Sequence, residues 1–310
     1  MEKAEKKVIV IGSLHYDITQ KQKRLPHVGE TFIADSVTYA GGGKGANQAV
    51  QSAKLGIPTY IVGCIGNDME GIFLRSSLTT FGVHTNFLRM VNAASGMSVA
   101  QVMPDGEVYC TIVHGANNCI TNKDIEQLND FLIPGDLVLF QLEIPIPVVE
   151  YAVRFCHEKG CQIILNAAPA ALLSEEALYK TDFFIVNEEE AQFYVGKEVA
   201  TQEDALRGAR IMSQKYRNTC IFTLGKNGSV VSENGKCEVI PSIEVNTVET
   251  NGAGDSFIGG LCYGLAHDMN VFDASRLATC CSAITVCGIG CQPSMPTFAQ
   301  LKHFMDCQSN

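Results

Sequence analysis

The apolar residues of the chain form short, nearly continuous runs that alternate with stretches of helical periodicity. Such runs are typical of strands covered on both faces, and their alternation with helices indicates a parallel sheet with crossover helices. The predicted strands are 7–12, 60–66, 137–141, 162–166, 182–187 and 220–225. The predicted helices are 44–55, 69–81, 147–158, 202–215, 254–267 and 272–286. The sequence therefore predicts an α/β fold, a three-layer αβα Rossmann-like arrangement around a mostly parallel sheet.

Two stretches depart from this rhythm. The segment 30–40 alternates between apolar and polar residues, and 96–113 has the pattern of a hairpin turning at Asp105-Gly106. Both are typical of antiparallel strands with one wet face. We expect them to form a small antiparallel sheet outside the main one, a lid spanning about 14–40 and 96–113. Because no internal repeat or linker is evident, 1–310 is interpreted as a single domain.

Composition narrows the classes of partner. The 310 residues are 46% hydrophobic and 18% charged, as in ordinary globular proteins. A net charge of −10 argues against a nucleic-acid surface and against anionic membranes. No apolar run approaches the roughly 18 residues of a membrane helix. The apolar run near the start of the sequence is too short for the hydrophobic region of a signal peptide. We expect a cytoplasmic protein with no nucleic-acid or membrane partner.

Cysteine is abundant, but its spacing does not indicate a metal site. There are 13 cysteines and 7 histidines, with no CxxC pair and no repeated ligand spacing. Cys280, Cys281, Cys287 and Cys291 cluster in the sequence. We interpret them as small buried apolar residues in a reducing compartment.

Polar and turn residues follow the predicted buried strands. They are SLHYD (13–17), LEIP (142–145), AAPA (167–170), NEEE (187–190) and GKNG (225–228). In open α/β sheets ligands bind beyond the carboxyl ends of the strands. The sequence therefore predicts one crevice with a sugar-like end and a phosphate end.

The stretch TVETNGAGDSFIGG (247–260) carries the most specific chemistry. Its small residues let backbone N–H groups point toward one place, and the following helix adds positive charge at its N-terminus, which together make an anion site. Asp255 would be a poor neighbour for a phosphate alone. It suits a phosphoryl group attacked by a hydroxyl that must lose a proton. The alternative is that Asp255 only caps the helix.

Other motifs leave alternatives open. Neither GxxxxGK[ST] nor GxGxxG is present. The glycine-rich 40–50 either binds a ligand or makes a tight turn into a helix. Asp17 and Glu143 either accept hydrogen bonds from sugar hydroxyls or are solvated, His15 is either a ligand contact or a packed turn residue, and the acids of 187–190 also suit a first helical turn.

In combination, these motifs resemble the ribokinase-like (PfkB) family of carbohydrate kinases over essentially the whole chain. The matching motifs are GGKGANQA (42–49), QLE (141–143), NAAPA (166–170), NEEE (187–190), TLGKNG (223–228), TNGAGDSF (250–257) and GCQPSMP (290–296). Each motif alone is weak, but their order along the chain is highly specific. The resemblance implies transfer of the γ-phosphoryl group of ATP to a sugar hydroxyl, with Mg²⁺.

The resemblance also implies roles for individual positions. Asp255 is the implied catalytic base, with an anion hole at Gly252, Ala253 and Gly254. The implied sugar contacts are His15, Asp17, Gly43, Lys44, Asn47 and Glu143. The implied nucleotide contacts are Asn187, Thr223, Gly225, Lys226, Gly228 and Thr279. Glu190 would act on Mg²⁺ through water, and a monovalent cation, K⁺, would be held near Glu249, Asn251, Thr285, Gly288, Gly290 and Ser294.

The implied acceptor is the primary hydroxyl of a pentose, D-ribose first. Deoxyribose, another unphosphorylated sugar or a nucleoside is the alternative, and a non-catalytic sugar-binding regulator is the rival of another class. His15 replaces an Asn common in the family, Glu249 replaces the usual Asp, Ala168 replaces a common Pro, and Thr279 lies where the family pattern varies. Lids in this family often pair between subunits, so a homodimer is expected.

Overall fold

A computed structural model describes residues 6–308. Its strands are β1 (Val8–Ile11), β2 (His15–Lys21), β3 (Ser36–Gly42), β4 (Thr59–Gly66), β5 (His84–Val91), β6 (Met97–Val102), β7 (Val108–Val113), β8 (Leu137–Phe140), β9 (Gln162–Asn166), β10 (Phe183–Val186), β11 (Thr219–Thr223), β12 (Ser229–Glu233) and β13 (Lys236–Ile240). Its α-helices are α1 (Lys44–Lys54), α2 (Met69–Thr80), α3 (Asn122–Glu126), α4 (Ile146–Glu158), α5 (Glu175–Tyr179), α6 (Glu188–Val195), α7 (Gln202–Tyr216), α8 (Ala253–Ala266), α9 (Val271–Thr285), α10 (Cys291–Ser294) and α11 (Phe298–Gln308). Short 3₁₀ helices lie at Gly115–Cys119 and Gly225–Asn227.

The main sheet has nine strands in the order β13-β12-β11-β10-β9-β8-β1-β4-β5. The pairings from β11 to β5 are parallel, and β12 and β13 are antiparallel additions at one edge. The sequence prediction of a mostly parallel α/β sheet is confirmed. The predicted helices are present within a residue or two of their bounds.

Helices cover both faces of the central strands, which explains their continuous apolar runs. Successive side chains of a strand point to opposite faces. Accordingly, Ile9 and Ile11 of β1 belong to one core cluster with residues of α4 and α7. Val8 and Val10 belong to a second cluster with residues of α1, α8 and α9. These two cores make the three-layer arrangement.

A smaller sheet lies outside the main one, in the order β3-β2-β6-β7. The pairs β2–β3 and β6–β7 are antiparallel, whereas the central pair β2–β6 is parallel. The alternating pattern does not predict β2, and β3 begins at Ser36 rather than near residue 30. The physical reason is that β2 continues almost directly from the buried strand β1, so its polar residues have the composition of a turn.

The sequence also misses three strands of the main sheet, β5, β12 and β13. The residues of β5 are largely exposed or half-buried, so it lacks the apolar run of a central strand. The hairpin between β12 and β13 turns at Asn234 and Gly235, both with positive φ, and this Asn-Gly pair is the one local signal that could have revealed it.

Two expectations from composition can be compared with the structure. Within residues 6–308, none of the helices combines the length and apolar character that a membrane crossing requires. In the cysteine cluster, Cys281 and Cys291 are buried as expected, but Cys287 is exposed because it follows the end of α9. The cluster is therefore only partly a set of small core residues.

Candidate active site

The site lies beyond the carboxyl ends of β1 and β8, where the N-termini of α1 and α8 converge. Helix α8 starts after Gly252, whose φ of 81° is left-handed. A Cβ atom at Gly252 would lie 2.3 Å from Cys291 Sγ, so both the backbone angle and the space require glycine. Gly254 follows in an open position, with nothing within 4 Å of an added Cβ. Ala253 begins the helix between them.

Asp255 lies in the first turn of α8, and its carboxylate is bound by α1. Asn47 Nδ2 donates to Asp255 Oδ2 at 2.9 Å, and Gln48 Nε2 donates to Oδ1 at 2.8 Å. The N-cap position of α8 is Gly252, which makes no side-chain cap bond. Asp255 is therefore not the N-cap residue of α8, and its carboxylate is held by α1; its role as the catalytic base stays a prediction.

The surroundings of Asp255 make it a stronger base than a surface carboxylate. Burial raises the pKa of Asp255 and Glu143 adds to the rise, while Lys44, Asn47 and Gln48 oppose it. A raised pKa means a higher affinity for a proton, which a group that accepts one from an alcohol needs.

Glu143, just beyond β8, is the centre of a buried polar cluster. Its Oε2 accepts from Ser13 Oγ at 2.5 Å and from the Lys44 backbone N–H at 3.1 Å. Lys44 Nζ lies 3.5 Å from Oε1. Burial alone would raise the pKa of Glu143, but Lys44, Ser13 and His15 outweigh it and the pKa is lowered. Glu143 is therefore an ionised acceptor.

Lys44 carries the balancing charge. Burial would lower its pKa, but the carboxylates of Asp255, Glu143 and Glu190 together raise it. The turn before Lys44 needs glycine, because Gly43 has a φ of 90° and a Cβ atom there would lie 2.8 Å from the backbone nitrogen of His15. A protonated Lys44 thus lies among the carboxylates of both ends of the crevice.

His15 and Asp17 lie two residues apart on β2, hence on the same face. His15 is only 2% exposed, its Nδ1 is 3.9 Å from Glu143 Oε2, and its Nε2 has no hydrogen-bond partner among residues 6–308. Burial lowers the pKa of His15 despite Glu143, so the ring is neutral at pH 7. His15 lies at the edge of the cluster, and its role as a ligand contact stays a prediction.

Asp17 is the second acid near Glu143. Ser98 Oγ donates to Asp17 Oδ1 at 2.6 Å. Burial raises the pKa of Asp17 to about 6, with Ser98 opposing the rise and Glu143 and Asp255 adding to it. A carboxylate in this position can accept hydrogen bonds from hydroxyl groups, but burial disfavours its ionised form.

At the phosphate end, Asn187 and Glu190 bind each other. Asn187 Oδ1 accepts from the Glu190 N–H and Glu190 Oε2 accepts from the Asn187 N–H, each at 2.9 Å, which makes a capping box for α6. The helix-start interpretation of NEEE is thus realised. The other carboxylate oxygen of Glu190 lies outside this capping box. Burial raises the pKa of Glu190, and the Asn187 N–H and Lys44 oppose the rise.

The other predicted nucleotide positions lie after β11 and on α9. Thr223 Oγ1 donates to the Val186 carbonyl at 3.4 Å. Gly225 and Gly228 have positive φ, and a Cβ at Gly228 would lie 2.1 Å from the Ile240 carbonyl oxygen. Lys226 is exposed between them. The Thr279 hydroxyl donates to the Ser275 carbonyl within α9, which leaves the hydroxyl oxygen to act as an acceptor.

The segment 248–251 meets the turn after α9, where the monovalent cation positions were expected. The Glu249 N–H donates to the Val286 carbonyl at 3.2 Å, and Glu249 Oε2 accepts from the Gly290 N–H at 2.9 Å. A Cβ at Gly288 would lie 2.5 Å from Ser294 Cβ. These contacts bring together Glu249, Gly288, Gly290 and Ser294. The Thr285 carbonyl accepts from the Gly288 N–H, and Asn251, two residues after Glu249, is exposed.

Sequence reasoning missed several polar residues of the site. They are Ser13, Gln48, Ser98, Gln141 and Asn166. Gln48 had a usable signal, since a long amide side chain beside Asn47 on an otherwise small-residue helix start needs a polar partner. The described part of the chain holds no cluster of three or more His, Cys, Asp or Glu side chains suited to a metal ion.

An open α/β sheet, a helix N-terminus and an aspartate beside a cluster of hydrogen-bond acceptors fit a phosphotransferase acting on an alcohol. The chain belongs to the pfkB family of carbohydrate kinases, whose model matches residues 5–298. It is therefore a sugar kinase.

Three proteins illustrate the similarity. A Haemophilus influenzae protein named ribokinase is 33% identical over 302 residues, covering 97% of this chain and 99% of its own length. A Salmonella typhi deoxyribokinase is 31% identical over 300 residues, covering 96% and 98%. The structure of Arabidopsis thaliana ribokinase complexed with ribose and ATP has a TM-score of 0.89 and 28% identity, covering 97% and 98%.

Proposed function

We propose that this chain transfers the γ-phosphoryl group of ATP to the primary hydroxyl of D-ribose, giving ribose 5-phosphate. The observation that carries the proposal is the carboxylate of Asp255 at the N-terminus of α8, held by amides and raised in pKa beside an acceptor cluster. The Haemophilus influenzae relative and the Arabidopsis thaliana structure, with ribose and ATP, support the choice of substrates.

In the proposed mechanism, Asp255 takes the proton of the attacking hydroxyl. The N–H groups at Gly252 and Gly254 and the N-terminal charge of α8 stabilise the transferred phosphoryl group. The Ala253 N–H donates to the Thr250 carbonyl at 3.3 Å and joins them when that bond opens. Lys44 offsets the negative charge gathered there. Phosphoryl transfer is mostly a matter of positioning and charge stabilisation, so this small set of groups is sufficient.

The acceptor cluster would hold the sugar. Glu143 and Asp17 are acceptors for hydroxyl groups, and Asn47 offers both a donor and an acceptor. Gly43 and Lys44 contribute the backbone and charge beside them, and His15 closes the edge. The cation of this set, Lys44, is paired with Glu143, whereas a sugar phosphate needs cationic partners of its own, so the set favours an unphosphorylated sugar.

Asn187, Thr223, Gly225, Lys226, Gly228 and Thr279 would bind the nucleotide. Glu190 fits a Mg²⁺ held through water, since one oxygen remains outside its capping box and Mg²⁺ binds through few carboxylates plus phosphate. Mg²⁺ supplies charge neutralisation of the phosphates when bound. The carboxylate of Glu249 and the carbonyl-rich turn at Thr285, Gly288, Gly290 and Ser294, with Asn251, offer the hard oxygen donors that K⁺ prefers.

The small sheet would act as a lid over the sugar and as a dimer contact. It exposes large apolar side chains, including Tyr39 at 57% and Val113 at 60%. Exposed apolar side chains grouped on one sheet are typical of a protein–protein interface. The homodimer is tested by sedimentation at micromolar concentration, where a monomer in both wild type and Val113→Asp would count against it.

Deoxyribose is the second candidate acceptor. It is favoured by the similarity to the Salmonella typhi deoxyribokinase and by His15 in place of the family's common Asn. We expect a cytoplasmic enzyme in either case. The proposal is tested by measuring ADP release by purified protein with ribose, deoxyribose, fructose and adenosine. Highest kcat/KM with ribose is expected, and no activity with any pentose would refute it.

A further inference from the structure

A line of buried side-chain amides connects Asp255 to strand β8. Gln48 Nε2 donates to Asp255 Oδ1 at 2.8 Å, and Gln141 Nε2 donates to Gln48 Oε1 at 2.6 Å. Gln48 Nε2 also donates to Asn166 Oδ1 at 3.0 Å. Gln48 and Gln141 are both 0% exposed, so neither can touch a sugar or a nucleotide.

The partners of Gln48 fix the orientation of its amide. Both N–H groups face oxygen acceptors, on Asp255 and Asn166, while its oxygen faces the nitrogen of Gln141. A rotation of the amide by half a turn would place oxygen against oxygen at Asp255 and Asn166, and nitrogen against nitrogen at Gln141. The acceptors on Asp255 and Asn166 and the donor on Gln141 therefore agree on one orientation, in which Gln48 donates to Asp255.

Gln141 in turn leaves a polar atom unbound. Its Oε1 is buried with no hydrogen-bond partner among residues 6–308, which is unfavourable for an acceptor. The oxygen lies against Gly12, where a Cβ atom would come within 2.0 Å of it. The contact that this orientation secures is the one to Gln48.

A second line of amides reaches the other oxygen of Asp255. Asn47 Nδ2 donates to Asp255 Oδ2 at 2.9 Å, and Gln292 Nε2 donates to Asn47 Oδ1 at 3.0 Å. Asn47 is also a proposed sugar contact, so its variants would mix two effects. Gln48 is free of that complication.

Several charged or titratable groups act on Asp255 besides the amides. They are Lys44, Glu143, Asp17 and Cys291. Amide donors differ from all of them, because they favour the ionised carboxylate without titrating themselves. Burial raises the pKa of Asp255, and Gln48 opposes this rise.

We propose that Gln48 and Gln141 are positioning residues for the catalytic base. Gln48 holds the carboxylate of Asp255 in one orientation and in its ionised form, and Gln141 acts by orienting Gln48. This inference rests on the proposed role of Asp255 in the kinase reaction. It assigns a function to two residues that contact no substrate.

The test compares Gln48→Met with Gln51→Met. Gln51 lies one turn later on α1, is equally buried, and its amide binds the Pro296 carbonyl and Ser256 Oγ instead of Asp255. The titration of the Asp255 carboxyl is followed by ¹³C NMR in the protein without ligands, its signal identified by its loss in Asp255→Asn. Gln48→Met should raise the pKa of Asp255, and Gln51→Met should leave it at the wild-type value.

Kinetics give a second measurement. In Gln48→Met, kcat should fall about 10-fold to 100-fold, since misplacement of a reacting group costs this much. The acid limb of the kcat profile should move to higher pH, and the KM for sugar should change less than kcat. Gln51→Met should keep the wild-type acid limb whatever its thermal stability.

Gln141→Met serves if Gln48→Met does not fold. It leaves Gln48 in place without its orienting donor, so a smaller shift in the same direction is expected. A wild-type titration of Asp255 in a folded Gln48→Met or Gln141→Met would overturn the proposal, as would an equal shift in Gln51→Met. Because the NMR titration needs no turnover, a wild-type protein inactive on every sugar would refute the proposed function without deciding this test.

Discussion

Lys44 Nζ lies 3.5 Å from Glu143 Oε1, while the backbone N–H of the same lysine donates to Glu143 Oε2 at 3.1 Å. One residue therefore holds both oxygens of the buried acid. Burial would lower the pKa of Lys44, but the carboxylates of Asp255 and Glu190 add to the effect of Glu143 and raise it.

Removal of this charge should affect the whole site. In Lys44→Met the buried carboxylates lose their shared counter-charge, so the pKa values of Glu143 and Asp255 should rise. We expect kcat/KM for the sugar to fall about 100-fold or more, because a charge that stabilises the reacting groups is lost from a site whose carboxylate Glu143 is buried. Lys180→Met, on the surface beside Glu176, is the control and should keep wild-type kinetics. Equal kinetics in the two variants would contradict the role of Lys44.

Asp17 should reduce the stability of the protein without ligand. Burial raises its pKa from the ordinary value of 3.8 to about 6, so the folded state binds the proton more tightly than the unfolded state. Ionisation of Asp17 therefore costs stability above pH 6, and the cost disappears below pH 3.8. At about 1.4 kcal/mol per unit, its upper bound is about 3 kcal/mol.

The corresponding variant is Asp17→Asn, which can keep the bond from Ser98. Its free energy of unfolding should exceed that of the wild type at pH 7.5, with the difference shrinking toward pH 4, as measured by denaturant titration. Sugar binding by calorimetry should be weakened at the same time. A variant less stable than the wild type at pH 7.5 would show that Asp17 stabilises the fold.

His15 should set sugar preference. Its neutral ring is bulkier than an Asn side chain and less able to bridge two hydroxyl groups. His15→Asn should change the ratio of kcat/KM between ribose and deoxyribose by more than it changes kcat. His114→Asn is a control, because that ring lies 6.4 Å from His15 between centroids. An unchanged ratio in His15→Asn would place His15 outside the pocket.

A monovalent cation should activate the enzyme despite Glu249. The extra methylene relative to Asp changes the reach of the carboxylate and not its charge, and Gly290 holds one oxygen at the turn. Activity in potassium should exceed activity in tetramethylammonium several-fold, and Glu249→Ala should reduce the difference. Equal rates of the wild type in both salts would refute the cation site.

Much of the fold follows from local sequence signals. Strands such as β1 and β8 are predicted because both faces are covered and every residue is apolar. The strand β5 is not, because its exposed edge position gives it no continuous apolar run. The strand β2 is obscured because polar residues such as Asp17 interrupt the alternation expected of a sheet.

In the candidate site too, features encoded by neighbouring residues could be predicted, and contacts between distant residues could not. Asp255 could be singled out because the glycines and the helix start that predict an anion site are its neighbours in sequence, and the Asn187–Glu190 capping box is a local pattern as well. The contact of Gln48 with Asp255 joins positions 207 apart in the sequence, and no local pattern encodes such a pairing. The burial that raises the pKa of Asp17 likewise follows from tertiary packing.

The central claim is that Asp255 removes the proton of the attacking hydroxyl. Asp255→Asn keeps the size of the side chain and removes the proton acceptor, while Asp130→Asn makes the same chemical change at an exposed carboxylate outside the site and is the control. General-base contributions are about 10²–10⁴-fold. The measurement is kcat for ATP-dependent sugar phosphorylation, together with thermal unfolding and ATP affinity. The account predicts a fall in kcat of at least about 100-fold, with the fold intact and ATP bound as well or slightly more tightly. Near-normal turnover in a normally folded Asp255→Asn would contradict it.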